Sequence, residues 1–183
     1  MRQFHQQYEE WVSLPMDRVV PPHIHSIRPG APSADLRVVC CWDGATRRGA
    51  PSAGVMVLMN AAREVLLAKG VQFPGLVDPM VIELLTLREA IDWCLGLGFI
   101  DVRFEGDAKV IIDKIILQEA SDTRVGAILE EVLHYFQSHP GLGVRFIGQK
   151  NNRVAHRVAK KALPLSPTIC RVFDFQAWLL SRM

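Results

Sequence analysis

The chain has 183 residues, of which 49% are hydrophobic and 22% charged, and its formal net charge is only +2. This length can bury a substantial core, and the composition excludes a disordered or fibrous protein. A net charge this small does not by itself indicate nucleic-acid binding. No apolar stretch reaches the roughly 18–20 residues of a membrane span. Residues 1–10 are too polar for a signal peptide, so we expect a protein of the cytoplasm or nucleus.

The first segment, residues 1–36, contains five prolines. Proline interrupts regular backbone hydrogen bonding, so we expect an extension without long helices or strands. His23 and His25 lack a third metal ligand nearby, and we expect both imidazoles to be solvated. The cysteines show no CxxC spacing, and we expect all of them to be reduced, small apolar residues: Cys40, Cys41, Cys94 and Cys170.

From Arg37 onward, apolar periodicity and turn residues predict alternating elements. We expect strands at 37–43, 53–59, 64–73, 101–105 and 143–147, and helices at 78–97, 108–117, 122–138 and 152–163. Asp78 before Pro79 is typical of a helix start. In helix 108–117 we expect four residues to face inward: Val110, Ile111, Ile112 and Ile115. The order predicts an α/β domain with a mixed sheet and helices on both faces.

Three acids occupy positions where apolar residues are expected. Glu83 shares a helix face with apolar neighbours, namely Met80, Leu87, Ala90, Ile91 and Cys94. Asp43 and Asp107 each lie at the end of an apolar segment. A buried charge is costly unless it is paired, hydrogen-bonded or bound to a metal. Three such acids in one small domain therefore suggest a shared cation.

Four motifs occur in chain order along this pattern. Asp43-Gly44-Ala45 ends the first strand, Glu83 lies in IELLTLREA at 82–90, GFIDVRFEGD occupies 98–107, and NRVAHRVAK occupies 152–160. Together they resemble the ribonuclease H-like superfamily, and in particular the plant RNase H-type domain related to retroelement reverse transcriptases. The resemblance covers about residues 37–163 and implies an RNase H-like fold with a five-stranded mixed sheet flanked by helices. It divides the chain into a Pro-rich N-terminal extension (1–36), this domain (37–163) and an apolar C-terminal extension (164–183).

The resemblance implies metal-dependent hydrolysis of the RNA strand in RNA–DNA hybrids, with Mg²⁺ or Mn²⁺ as the cofactor. Two such ions would position the attacking water and stabilise the leaving oxygen, and carboxylates are the ligands that Mg²⁺ prefers. By resemblance, Asp43 would bridge both ions, and Glu83 and Asp107 would complete one site. The family's fourth acid would complete the other, and His156 stands in its place.

His156 leaves three alternatives open. It is a neutral ligand for a softer ion such as Mn²⁺ or Zn²⁺, a proton shuttle or phosphate contact, or a sign that the second metal is lost. Phe146, where relatives often carry a histidine, and the changed stretch at 148–150 indicate that the loop near the site is rewritten. The alternative function is therefore a catalytically inactive RNase H-like binding or protein-interaction module.

Each acid also has a simpler explanation. Asp43 before Gly44 can start a turn, and Asp107 can cap the following helix. Glu83 can be a core acid paired to a basic residue. We expect Glu105, two residues before Asp107, to be an exposed strand residue.

Residues 150–161 carry a basic stripe without any acid: Lys150, Arg153, Arg157, Lys160 and Lys161. Such a stripe favours contact with phosphates of RNA–DNA hybrid or RNA, without reading of sequence. Asn152 at the helix start would cap the helix or contact a phosphate. The alternative is an ordinary solvated helix face.

The extension at 164–183 is too apolar for a disordered tail. We expect a short helix that packs on the domain or on another chain, which makes a homodimer or a protein partner plausible.

Overall fold

The computed structural model describes residues 37–46, 51–118, 124–153, 155–156 and 170–172. Its elements, in chain order, are β1 (Val38–Ala45), β2 (Ser52–Met59), β3 (Val65–Phe73), α1 (Pro79–Gly96), β4 (Val102–Gly106), α2 (Lys109–Leu117), α3 (Arg124–Ser138), β5 (Leu142–Phe146) and β6 (Cys170–Val172). The predicted strands are confirmed, and so are the three predicted helices before residue 139. Of the predicted helix 152–163, residues 153, 155 and 156 are helical, and 157–163 lie outside the described residues.

The described strands form one mixed sheet in the order β5-β4-β1-β2-β3-β6. Three pairs of neighbouring strands are antiparallel: β1 with β2, β2 with β3, and β3 with β6. β4 pairs parallel with both β1 and β5. The expected five strands are therefore present. β6 adds a sixth strand, in the segment where we expected a short helix.

β1 occupies the middle of the sheet and is buried on both faces, which explains its continuous apolar sequence. Cys40 and Trp42 face the larger core, against α1. Val39 and Cys41 face a second core, which includes Ala155 from the last helix. The three described cysteines are free and buried, as predicted. Burial and the nearby Glu105 carboxylate raise the pKa of Cys41 to about 12, so its thiol is inert.

α1 begins where predicted, because the Asp78 carboxylate accepts hydrogen bonds from the Met80 and Val81 amides at 2.9 and 3.3 Å. The helix packs directly on β2. A Cβ atom added at Gly54 would lie 2.1 Å from Thr86 Oγ1, so glycine is required at this crossing. None of the helices in the described ranges combines the length and apolar character needed to cross a membrane.

The prediction for α2 is wrong at one position. Ile111, Ile112 and Ile115 are buried as expected, but Val110 is 55% exposed. The three isoleucines already fill the face that a short helix presents to the core. Val110 is rotated about 100° from Ile111, which places it beside that face rather than on it.

The prediction that Glu105 is exposed is also wrong, because its side chain is fully buried. Arg63, in the turn after β2, donates two hydrogen bonds to the two carboxylate oxygens, at 2.7 and 3.1 Å. Arg145 Nε on β5 lies 3.8 Å from the same carboxylate. Two guanidinium groups therefore compensate the buried charge.

Candidate metal centre

Three acids meet at one end of the sheet. Asp43 lies near the end of β1, Asp107 directly follows β4, and Glu83 lies in the first turns of α1. Cys41 and Glu105 are opposite each other in the parallel pair of strands. Asp43 and Asp107, each two residues later, therefore lie at the same end of these strands and on the same face. One oxygen from each of the three carboxylates lies within 4.8 Å of the others.

Gly44 allows this close approach. A Cβ atom at this position would lie 3.0 Å from Ile82 Cγ2 and 3.2 Å from the Glu83 carboxyl carbon. A side chain there would require Ile82 or Glu83 to shift by a few tenths of an ångström. The Asp43-Gly44 pair thus supplies one acid and the space for a second.

Burial and like charge make the cluster of three acids electrostatically unfavourable. Burial and the neighbouring Asp43 charge raise the pKa of Glu83 to about 8. Burial raises the pKa of Asp43 to about 6, although its hydrogen bond to His156 opposes the rise. Glu83 Oε2 is buried, and none of the residues that the structure describes forms a hydrogen bond with it. A divalent cation would relieve both the repulsion and the unpartnered oxygen, so the residues present fit such an ion.

His156 contacts Asp43 directly. Its Nδ1 lies 2.8 Å from Asp43 Oδ2, and its ring is partly exposed at the rim of the cluster. The residue that stands in place of a fourth acid is therefore part of the site. It engages one of the two oxygens of Asp43.

Asn152 lies beneath the acids rather than on the surface. It is 1% exposed, and its Nδ2 donates to the Trp42 carbonyl at 2.9 Å and to Asp107 Oδ1 at 3.0 Å. The expected phosphate contact is incompatible with this burial. Asn152 precedes the inward-facing Ala155 by three residues, and residues at this spacing share a helix face. This spacing is the sequence feature that indicates an inward position for Asn152.

The simpler explanations for the three acids are not supported. Asp43 lies within β1, opposite Val55, and not in a turn. The N-cap of α2 is Ala108, and no side chain caps that helix. For Glu83, no ion pair with a basic side chain occurs among the residues that the structure describes.

The basic stripe is only partly visible. Lys150 and Arg153 are exposed, while Arg157 and Lys160 lie outside the described residues. Phe146, at the end of β5, is 42% exposed. Phe146, Lys150 and Arg153 are therefore exposed along the segment of chain that runs from the end of β5 to His156.

Comparisons with known proteins agree with this architecture. Three solved structures align with this chain over most of their own length. RNase H1 of Halobacterium salinarum aligns with a TM-score of 0.58 and 21% identity, over 69% of this chain and 96% of that one. The N-terminal RNase H domain of a Mycobacterium tuberculosis protein aligns at 0.61 and 20%, over 70% and 94%. LC11-RNase H1, solved in complex with an RNA/DNA hybrid, aligns at 0.61 and 16%, over 70% and 97%.

These identities are low, so the solved structures establish the fold alone. No curated protein sequence matches the chain. Residues 42–162, which include Asp43, Glu83, Asp107 and His156, match the family described as Reverse transcriptase-like. The chain therefore belongs to the reverse transcriptase-like family of the RNase H-like superfamily, with the α/β fold of RNase H1.

Proposed function

We propose that this chain is an RNase H-type endonuclease that hydrolyses the RNA strand of RNA–DNA hybrids. The observation that carries the proposal is the convergence of Asp43, Glu83 and Asp107, with ligand atoms within 4.8 Å of one another. LC11-RNase H1 has been solved with an RNA/DNA hybrid, and so has a foamy viral protease-reverse transcriptase, of which 23% aligns with this chain. The four sequence motifs favour the plant RNase H-type branch of the superfamily.

Asp43, Glu83 and Asp107 would hold Mg²⁺ or Mn²⁺, which when bound polarises the scissile phosphate and activates water. Glu83 contributes Oε2, a buried oxygen for which the described residues supply no hydrogen bond. Asp107 is held by Asn152, and Asp43 by His156. Each ligand therefore approaches the ion from a different segment of the chain, on an element fixed by the sheet or by α1.

The exposed cations supply the substrate contacts in this proposal. Lys150 and Arg153 are exposed and precede His156 by six and three residues. Contacts of this kind hold a phosphate backbone near the acids without selecting a sequence. Arg157 and Lys160 extend the same stripe in the sequence. We also propose that residues 164–183 bind a protein partner or a second copy of this chain. We propose a location in the cytoplasm or nucleus.

A second function is favoured by the contact between His156 and Asp43. This hydrogen bond engages an oxygen that a second ion would need, and a histidine adds no negative charge to attract one. A domain that binds hybrid without cleaving it is consistent with this arrangement. The two functions differ in one measurable property, which is turnover.

The test is cleavage of an end-labelled RNA–DNA hybrid in Mg²⁺ and separately in Mn²⁺, by the native chain, Asp43→Asn and Asp113→Asn. Asp113 is a partly exposed acid on α2 that pairs with Lys109, and it serves as the control for loss of a carboxylate outside the cluster. We expect Asp43→Asn to lower the rate at least about 100-fold, because a metal ligand is lost, while the control keeps it. Hybrid binding by the native chain without turnover in either metal would replace the nuclease with the binding module.

A further inference from the structure

We propose that Asn152 is a positioning residue of the metal centre, which fixes the Asp107 carboxylate against β1 and anchors the turn that carries His156. The inference rests on the proposed function for its consequence, but the contacts themselves are independent of any metal. Asn152 is among the few fully buried polar residues of the described chain. It also lies between two segments that are far apart in sequence, near Asp43 and at Asp107.

The partners of Asn152 decide how its side chain is oriented. Both the Trp42 carbonyl and Asp107 Oδ1 are acceptors, so only the amide NH₂ group can face them. A flipped amide would place its oxygen against two other oxygens in a buried site. Within the described part of the chain, the amide oxygen accepts no hydrogen bond. The side chain therefore acts as a donor of two hydrogen bonds, one to β1 and one to the residue that follows β4.

One of these hydrogen bonds restricts Asp107. Its Oδ1 accepts a hydrogen bond from Asn152 at 3.0 Å, which fixes the orientation of the carboxylate relative to the other two acids. Since Asn152 also holds the carbonyl of Trp42, the residue before Asp43, it ties the Asp107 carboxylate to the strand that carries Asp43. Hydrogen bonds of this kind to a ligating carboxylate typically change metal affinity about 10–100-fold.

The backbone of Asn152 restricts His156 in the same way. The Asn152 carbonyl accepts the His156 amide at 3.0 Å, and the Asn152 amide donates to the Gln149 carbonyl at 3.2 Å. This places the His156 ring beside Asp43, where Nδ1 meets Oδ2 at 2.8 Å. A single buried residue therefore sets the positions of groups on both sides of the cluster.

The experiment compares Asn152→Leu with the native chain. Leucine has nearly the shape of asparagine and cannot donate, so it separates hydrogen bonding from packing. Asn151→Leu is the matched control, because Asn151 is the same residue type, adjacent and exposed. Thermal unfolding in EDTA establishes a temperature at which all three proteins are folded. Two properties are then measured: the affinity for Mn²⁺ by titration calorimetry, and the metal-free ¹³C chemical shift of the Asp107 carboxyl carbon.

We expect folded Asn152→Leu to bind Mn²⁺ about 10–100-fold more weakly than the native chain, with a displaced Asp107 carboxyl signal. The control should match the native chain in both. Unchanged Mn²⁺ affinity and an unchanged Asp107 signal in folded Asn152→Leu would overturn the inference, and so would an equal loss in the control. A native chain that binds no Mn²⁺, with the Asp107 signal still displaced in Asn152→Leu, would refute the metal site and support the contact.

Discussion

The imidazole of His156 lies against Asp43, with Nδ1 2.8 Å from Oδ2. This contact lowers the pKa of Asp43 against the larger effect of burial, which raises it to about 6. His156 therefore favours the charged form of Asp43 at neutral pH, which is the form that binds a cation. The same contact engages an oxygen of that carboxylate, so in the proposed two-ion site the histidine would support the first ion and hinder the second.

Replacement of His156 by aspartate should raise Mg²⁺-dependent cleavage of the hybrid at least about tenfold. The substitution frees Asp43 Oδ2 and adds a carboxylate, which is the ligand type that Mg²⁺ prefers. Initial rates at saturating hybrid measure the effect. His134→Asp, at an exposed histidine on α3, is the control for added negative charge. An unaltered rate in His156→Asp would indicate that the scaffold is built for binding.

The metal-free domain should lose stability as pH rises from about 5 to 8, and Glu83→Gln should weaken that loss. The folded-state pKa of Glu83 is about 8, above its ordinary value of 4.5. The folded chain therefore binds a proton that the unfolded chain has released, and this advantage disappears as pH passes through the folded-state pKa. Since a pKa unit corresponds to about 1.4 kcal/mol, we expect Glu83→Gln to be more stable than the native chain at pH 8 by roughly 1–3 kcal/mol.

Urea unfolding in EDTA at pH 5 and pH 8 measures this difference. Glu130→Gln, at an exposed position on α3, should follow the native chain at both values. Asp43 also makes the free energy of unfolding fall as pH rises, by a smaller amount and in every variant, because its pKa is raised as well. Equal stability of Glu83→Gln and the native chain at pH 8 would contradict the burial of this charge.

Metal affinity should show the opposite trend and rise with pH. The cation competes with the proton on Glu83, whose pKa is about 8, and at lower pH with the proton on Asp43, whose pKa is about 6. Mn²⁺ binding should therefore strengthen between pH 6 and 8 and then level off. Calorimetry at pH 7 in two buffers of different ionisation enthalpy should detect release of about one proton per ion. A binding enthalpy independent of the buffer would exclude this competition.

Removal of Arg63 should destabilise the fold far more than removal of an exposed arginine. Glu105 is fully buried, and Arg63→Ala leaves it without its bidentate partner. The expected cost is about 3 kcal/mol, at the lower end for broken buried pairs because Arg63 itself is partly exposed. Arg37→Ala breaks the exposed pair with Asp101 and should cost less than about 1 kcal/mol. Equal midpoints of urea unfolding for the two variants would refute this difference.

The sequence predicts the strands and helices because each carries a local signal. The apolar run of β1, the Asp78 cap and the periodicity of α1 are all readable within a few residues. The motifs also single out the acids that the fold brings together, since each lies at the end of an element or on a helix face. Their proximity depends on the parallel pairing of β1 and β4, which the strand order implies.

The remaining features depend on partners that are distant in sequence. The burial of Glu105 requires Arg63, 42 residues earlier, and the position of Asn152 requires Trp42, 110 residues away. No local pattern distinguishes a buried glutamate with a remote partner from an exposed strand residue. Likewise, the approach of Glu83 to Asp43 depends on the space at Gly44, which only the packing of α1 reveals.

β6 pairs with β3 and lies beyond the segment that matches the family, residues 42–162. A protein shortened to that segment would keep all three acids and lose the strand that covers the outer edge of β3. Uncovered edges of this kind recruit strands from other molecules. We therefore expect a fragment that ends at residue 162 to aggregate more readily, and fragments for expression should retain Cys170–Val172.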